Sequence, residues 1–511
     1  MAVTVVVALV VLGLAPLFAA LVVVVDAPAS VWAALFTPRI GSLLVSTVML
    51  GVTTAACSAL IGVPIARCIA RRRGALSTLV AMLLPLPLIV PPWIAALAWA
   101  KWVRLSGFWG AVALLTATLW PLVALFALRG FRSAGRAGDA ARLARGRWAA
   151  WRSVELPLAM PSICSGMLLV FVFSITDFGV VDFLSFNAAE PFTVLSSEIF
   201  QKWARLDSAP AAVVVSMPAI LLGLLALGLM LVSERRASGR FTGPVAGRGA
   251  AERGTLFGTL GLLAVCALIL APLFELTRWA ATNPDPLGTA AASRDEMLRS
   301  VGAGLGTGLI VALLGVACAR VSLSGSPRRQ FLVLALALLP LAAPGVLFAV
   351  GEIRLWHHPA NPFSEVIYRS PLLLVLATAG RFLPLGVLAA RALLMRQDRG
   401  PAQAARLTGR SPWQRWLAVD LPLLAPATGL AFTLGYLLSL RELDIATLIP
   451  AGNATLIHKI FSFVHFVSDD MIAVLSLSLV LLVVLPLLAA RLLGVPGVES
   501  GPGRDLHSGR G

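Results

Sequence analysis

The sequence predicts an all-α polytopic membrane protein, and three observations carry that prediction. Hydrophobic residues make up 59% of the chain and charged residues only 13%, with mean hydropathy +0.90. Soluble domains carry roughly a quarter charged residues, so lipid must cover part of this apolar surface. Charge-free stretches recur, as at 2–25, 43–65, 256–273 and 471–490, each near the ~20 residues that cross a hydrocarbon core as helix. Finally, arginines gather in a few short segments between those stretches.

Twelve spans are expected, at about 3–25, 41–66, 76–100, 108–129, 161–183, 211–232, 255–275, 300–320, 331–351, 371–394, 426–448 and 471–493. Both termini then share a side with Arg67, Arg71–Arg73, the cluster from Arg129 to Arg152, Arg235, Arg236, Arg240, Arg320, Arg328, Arg329 and the cluster from Arg391 to Arg415. The opposite loops carry most of the acids, among them Glu190, Glu198, Asp207, Asp285, Asp295, Glu296, Glu365, Asp469 and Asp470. By the positive-inside rule the arginine side is cytoplasmic. The formal charge of +17 reflects that bias, so lipid is the expected surrounding and nucleic acid is not an expected partner. The first basic side chain is Arg39, which favours an uncleaved first helix over a signal peptide with its basic start. Cys57, Cys68, Cys164, Cys266 and Cys318 are scattered without a CxxC pair and read as small apolar fillers.

An internal repeat organises the chain. Leu86-Pro87-Leu88-Ile89-Val90-Pro91 matches Leu339-Pro340-Leu341-Ala342-Ala343-Pro344, and Pro121 matches Pro384. The stretch Ala140–Pro161 matches Ala404–Pro426, sharing Ala-Ala-Arg-Leu, a Trp pair (Trp148 and Trp151; Trp413 and Trp416) and an acidic-Leu-Pro triplet (Glu155 to Pro157; Asp420 to Pro422). Asp177 and Glu442 follow those prolines at equal distance. The expectation is two tandem six-span halves of like orientation: residues 1–235, a glycine-rich basic linker at 236–254, residues 255–495 and a disordered tail at 496–511.

The repeated segments, at about 131–158 and 396–423, face the cytoplasm in this scheme. Each holds a short helix with an apolar knob, Leu143 or Leu407, followed by a glycine, Gly146 or Gly409, that turns the chain. The Leu-Pro pair then sets up the next span. A short external helix with an apolar knob suits insertion into a partner's groove, and two copies imply a dimeric partner.

These segments resemble the signature of the inner-membrane permeases of ABC importers, Glu-Ala-Ala-x3-Gly-x9-Ile-x-Leu-Pro. The second copy supplies Gln403, Ala404, Ala405, Gly409, Val419 and Leu421-Pro422; the first supplies Asp139, Ala140, Ala141, Val154 and Leu156-Pro157. The first copy is one residue shorter, with Arg145 at the signature glycine and Gly146 next. The resemblance implies a bacterial inner-membrane permease whose segments dock on a homodimeric cytoplasmic ATPase and whose outer face receives a periplasmic or extracellular binding protein. Residues implied in ATPase coupling are Asp139, Ala140, Ala141, Leu143, Gly146, Pro157, Gln403, Ala404, Ala405, Leu407, Gly409 and Pro422. ATP hydrolysis is expected on a separate chain. A phosphate-binding loop needs Gly-Lys-[Ser/Thr], and Lys101, Lys202 and Lys459 all lack a preceding glycine. No cofactor and no catalytic residue are expected.

The motifs Thr176-Asp177-Phe178-Gly179 and Leu440-Arg441-Glu442-Leu443 resemble the iron(III) subgroup of fused permeases. Related subgroups carry thiamine, polyamines, phosphonates or oxyanions, and an ion-coupled secondary transporter is the alternative of another class. Ionisable groups inside spans usually face the bundle interior or water, so Asp177, Asp182, Arg381, Arg441, Glu442 and Asp444 are the pathway candidates. Their alternative role is pairing, with Glu442 held by Arg441 or Arg381. His357, His358, His458 and His465 show no metal-ligand spacing. The run Gly302, Gly304, Gly306, Gly308 is expected to admit close helix packing.

Overall fold

The computed structural model describes residues 2–492 except 26, 72–78, 82, 89, 101, 103–104, 187–191, 207–208, 241–255, 359–360, 396, 398–399, 408–410, 450–453, 465 and 467. The expected tail, the expected linker from 241 onward, Arg72, Arg73, Gly409 and His465 lie outside these residues, as does the side chain of Leu407. Every regular element among the described residues is helical.

The chain opens with α1, made of Ala2–Leu9, a π-helical turn Val10–Leu14 and Ala15–Val22. There follow α2 (Pro38–Arg71), α3 (Pro92–Ala100), α4 (Gly107–Ser133), α5 (Gly135–Arg145), α6 (Leu156–Thr176), α7 (Gly179–Phe186), α8 (Leu195–Leu206) and α9 (Ala209–Arg240). The second run comprises α10 (Leu256–Ala280), α11 (Arg294–Ser322), α12 (Pro327–Leu338), α13 (Gly345–Trp356) and α14 (Leu372–Leu394). It continues through α15 (Gly400–Leu407), α16 (Leu421–Arg441), α17 (Asp444–Leu448), α18 (Leu456–Phe463) and α19 (Asp469–Leu492).

Among the described residues nine helices are long and apolar enough to cross a membrane, or up to eleven when two bent pairs count as spans. The expected count of twelve spans is therefore not confirmed among the described residues. The third and ninth expected spans are bent, by 98° between Leu79–Leu88 and Pro92–Trp99 and by 101° between Pro327–Ala342 and Gly345–Trp356. Proline is the cause: Pro85, Pro87, Pro91 and Pro92 in one, and Pro340 and Pro344 in the other, cannot donate to the helix and clash with the preceding turn. The 25-residue helix α10 occupies the place of the seventh expected span.

Proline also explains the π turns. Val10–Leu14, Trp151–Glu155 and Trp416–Asp420 each end two residues before a proline, Pro16, Pro157 or Pro422. The ring removes one helical hydrogen bond and crowds the carbonyl four residues back; a wider turn relieves that crowding.

Two helix trios carry the packing: α2, α4 and α6 in one, α11, α14 and α16 in the other. The same contacts occur in both. Gly62 faces the backbone of Trp120 and Ala124, and Gly315 faces that of Gly386 and Val387; Gly51 faces Phe171, and Gly304 faces Tyr436. Thr47 Oγ1 accepts the Leu195 amide at 2.9 Å, and Ser300 Oγ accepts the Leu456 amide at 2.9 Å. Of the glycine run in α11, Gly304, Gly306 and Gly308 meet Tyr436, Val375 and Phe432, whereas Gly302 faces open space.

The first helix of each run crosses over to the other. α1 packs on α13, close enough that a side chain at Gly351 would collide with the Pro16 carbonyl. α10 packs on α3 and α19. Trp102 Nε1 donates to Glu275 Oε2 at 2.9 Å, and the buried Glu275 is also paired with Arg278.

Candidate functional site

Two places gather the charged and exposed residues expected to matter: a buried cluster where α6 and α16 end, and the repeated segments on the arginine-rich side.

The expected spans at 161–183 and 426–448 both stop early. α6 ends at Thr176 and α16 at Arg441; the next residues, Asp177 (φ −75°, ψ 120°) and Glu442 (φ −75°, ψ 111°), leave the helix with nearly the same backbone. Each acid then accepts an amide three residues on, Asp177 Oδ1 from Val180 at 3.0 Å and Glu442 Oε1 from Ile445 at 3.3 Å. A side-chain oxygen that captures an exposed amide offers the chain an alternative to the helical bond, which is why both spans break there. Asp177 and Glu442 thus sit at span breaks and not within the outer parts of continuous spans.

The side chains around the two breaks differ. Arg381, in the middle of α14, donates to Glu442 Oε1 at 2.5 Å and to Asp444 Oδ2 at 3.1 Å, and all three residues are buried. Gly345 leaves room for the guanidinium, since a Cβ there would collide with it. Of the two partners foreseen for Glu442, Arg381 holds it, whereas Arg441 Nη1 donates to the Leu88 carbonyl at 2.5 Å. Buried charges are costly unless paired, and these are paired. Asp177 is half-buried and within electrostatic range of Arg441, Arg381 and Asp444, and Asp182 is half-buried in the first turn of α7. Five of the six pathway candidates, all but Asp182, are therefore linked in one neighbourhood. Among the described residues no group of three His, Cys, Asp or Glu side chains is arranged to hold a metal ion.

On the arginine-rich side, α5 is a separate short helix that leaves one face open. Leu143 is 92% exposed and Ala140 is exposed, while Ala141 and Asp139 are half-buried. Gly146 turns the chain at φ +80°, a conformation open to glycine and strained for other residues. The glycine one position beyond the signature register makes the turn, and Arg145 remains the last residue of α5. In the second segment Gln403 and Ala404 are exposed and Ala405 is buried on α15. Pro157 and Pro422 are exposed where α6 and α16 begin, directly after the π turns that accommodate their rings. The tryptophan pairs stack similarly, with ring centroids 4.8 Å apart for Trp148 and Trp151 and 5.2 Å for Trp413 and Trp416.

One feature of the first segment was missed in the sequence. Glu155, 1% exposed, receives Arg67 Nε at 3.2 Å, Arg71 Nη2 at 2.7 Å and Arg142 Nε at 2.7 Å. Arg71 also pairs with Asp139. The arginines read only as topology signals; the clue was an acid among them that recurs before each Leu-Pro. At the matching positions the second segment has Arg320, Ser324, Arg406, Gln403 and Asp420, the side chain of Arg406 lying outside the described residues. Arg320 is exposed, and Asp420 pairs with Arg415 at 3.9 Å among the described residues.

Comparison with known proteins places this geometry. No protein-family model matches the sequence. The Fe(3+)-transport system permease protein FbpB 2 of Haemophilus influenzae is 25% identical over 441 residues, covering 82% of this chain and 83% of that protein. The molybdenum transport system permease protein ModB of Mycobacterium tuberculosis is 29% identical over 229 residues, which are 41% of this chain but 85% of ModB. The molybdate/tungstate transport system permease protein WtpB of Thermococcus kodakarensis is 25% identical over 208 residues, 40% of this chain and 83% of WtpB. These relatives are permeases of ABC-type transporters, and this polytopic helical chain is similar to them, to the Fe(3+)-transport permease over most of its length.

Proposed function

We propose that this permease forms the substrate pathway of an importer for iron(III) or a similar small cation, driven by a separate homodimeric ATPase. The observation that carries the coupling role is Leu143, almost fully exposed on a separate short helix. An apolar side chain so placed suits a groove on a partner. The second segment repeats the sequence, so two equivalent grooves on an ATPase dimer would be filled by one chain. The arginine-rich face is then cytoplasmic, with both termini on that side, in a bacterial inner membrane. Residues 1–235 and 255–495 act as two halves that rock about the seam between them, and a binding protein delivers substrate to the opposite face. The matched contacts of the two helix trios support the two halves, as does the way a nearly complete ModB aligns with well under half of this chain.

Iron(III) is favoured by the relative that spans most of the chain, an Fe(3+)-transport permease. Asp177 is the pathway residue most consistent with a cation, because its carboxylate is half-buried and lacks the direct arginine pair that holds Glu442. An oxyanion is the second reading, favoured by the buried Arg381 and by the molybdenum and molybdate/tungstate relatives.

The test is reconstitution with the neighbouring ATPase and binding protein, measuring ATP hydrolysis and uptake of labelled iron(III) against labelled molybdate. Stimulated hydrolysis that is lost in an Ala405→Glu, Gly409→Asp double variant, while insertion stays normal, supports coupling. Uptake driven by an ion gradient without any ATPase would replace this reading with a secondary transporter.

A further inference from the structure

We infer that the two coupling segments transmit unequally: the first is clamped to α2 through the buried Glu155–arginine node, and among the described residues the second shows no such clamp to α11. The inference deepens the coupling reading above and rests on it.

Helix α2 links the two faces of the first half. From Thr47 to Arg71 the helix is a rod of about 36 Å at 1.5 Å per residue. Near one end Thr47 holds the first amide of α8; at the other, Arg67 and Arg71 grip Glu155, and Arg71 also pairs with Asp139 on α5. Arg142 of α5 binds the same carboxylate. Helix α5, the π turn and the end of α2 are therefore joined by desolvated ion pairs, which are strongly unfavourable to separate. A displacement at Leu143 must move α2, and with it α8.

Helix α11 has the same outer connection, Ser300 to the first amide of α18. Its inner end differs in composition. Ser324 stands where Arg71 would be, and Gln403 where Asp139 would be. The backbone differs too: Gly138 lies against Arg71 and Glu155, where an added Cβ would collide with the guanidinium, and the matching residue is Ala402. A serine and a glutamine cannot rebuild the two charged links. The first segment thus moves as one body with its rod, while the second is joined to the rest of its half chiefly through α16. Glu155 is a positioning residue: at 1% exposure it acts through the arginines around it and sets what the exposed helix pulls on.

Two measurements test this on the full chain. Hydrogen exchange of the purified permease needs neither a variant nor an ATPase. Amides of α5 are expected to exchange about tenfold more slowly than those of α15, because a clamped helix opens less often. Equal rates, or a slower α15, would overturn the clamp. The second measurement is substrate transported per ATP in the reconstituted complex, with ATPase recruitment followed separately by co-purification. Glu155→Gln is expected to lower that ratio about tenfold with recruitment intact, since removing one partner strands buried charges. Arg67→Gln, which spares the two shorter pairs, is expected to lower it about threefold and serves if Glu155→Gln does not fold. Asp420→Asn is expected to stay within about twofold of wild type. A wild-type ratio in Glu155→Gln or Arg67→Gln sinks the proposal. A wild-type chain that recruits no ATPase sinks the coupling reading instead, and exchange still judges the clamp.

Discussion

The break after α6 and the break after α16 are built on the same backbone and carry different charges. Both helices stop one residue before an acid, and both acids accept an amide three residues on. Beside Glu442 stand Arg381, Arg441 and Asp444; at the matching places beside Asp177 stand Thr118, Thr176 and Gly179. The two threonines bond only to carbonyls of their own helices, Thr118 to Leu114 and Leu115 and Thr176 to Val172 and Phe173. The difference teaches that the acid as such serves the local chain reversal, while the surrounding charges decide whether it is also locked. Glu442 is locked by Arg381. Asp177 accepts the Val180 amide, has no ion pair among the described residues and stays half-buried.

The largest test of this comparison removes the lock. Arg381→Met leaves Glu442 and Asp444 buried without their cation, at a cost of ~3–5 kcal/mol. Thr118→Val at the matching place removes a hydroxyl that bonds within its own helix and should cost less than about 1 kcal/mol. Thermal unfolding in detergent, with recovery of monodisperse protein, separates the two; similar losses would mean the breaks are equivalent after all.

A middle-sized effect concerns the seam. Arg441→Gln forfeits a charged hydrogen bond to the Leu88 carbonyl, 353 residues away in sequence, worth about 1.5–3 kcal/mol. Thr176→Val is expected to cost a fraction of that, and the same unfolding assay compares them. Equal shifts would remove Arg441 from the contacts that hold the two runs together.

A third pair sharpens the functional side. Asp177→Asn keeps an oxygen for the Val180 amide, so folding should change by less than about 1 kcal/mol, while iron(III) uptake is expected to fall. Glu442→Gln weakens a buried pair and is expected to lower folded yield first. Full uptake by a well-folded Asp177→Asn would end the pathway role of that residue.

The smallest effect lies outside the breaks and asks how firmly α10 is held on the other run. Trp102→Phe loses one hydrogen bond to Glu275, which keeps Arg278, and should cost about 1 kcal/mol. A change beyond about 3 kcal/mol would show that this crossover contact carries more of the fold than a single hydrogen bond does.

Composition and charge placement alone determined the fold class, because apolar length and arginine clustering are linear properties that a bilayer reads directly. The repeat was legible for the same reason: Leu-Pro, the tryptophan pairs and the paired acids are local signals, and the matched contacts of Gly62 with Gly315 and of Thr47 with Ser300 follow its register. The knob at Leu143 and the turn at Gly146 were also visible, since helix propensity and positive φ are decided within a few residues. Tertiary structure alone decided the rest. It bent two spans at prolines that sequence could place but not angle. It chose Arg381 over the adjacent Arg441 as the partner of Glu442, a choice set by which helix faces which. It also gathered Arg67 and Arg71 of α2 and Arg142 and Asp139 of α5 at the node around Glu155. An arginine in a sequence declares a charge near a membrane edge; only packing says which carboxylate it will be desolvated against, because that energy depends on the distance and burial of partners far apart in the chain.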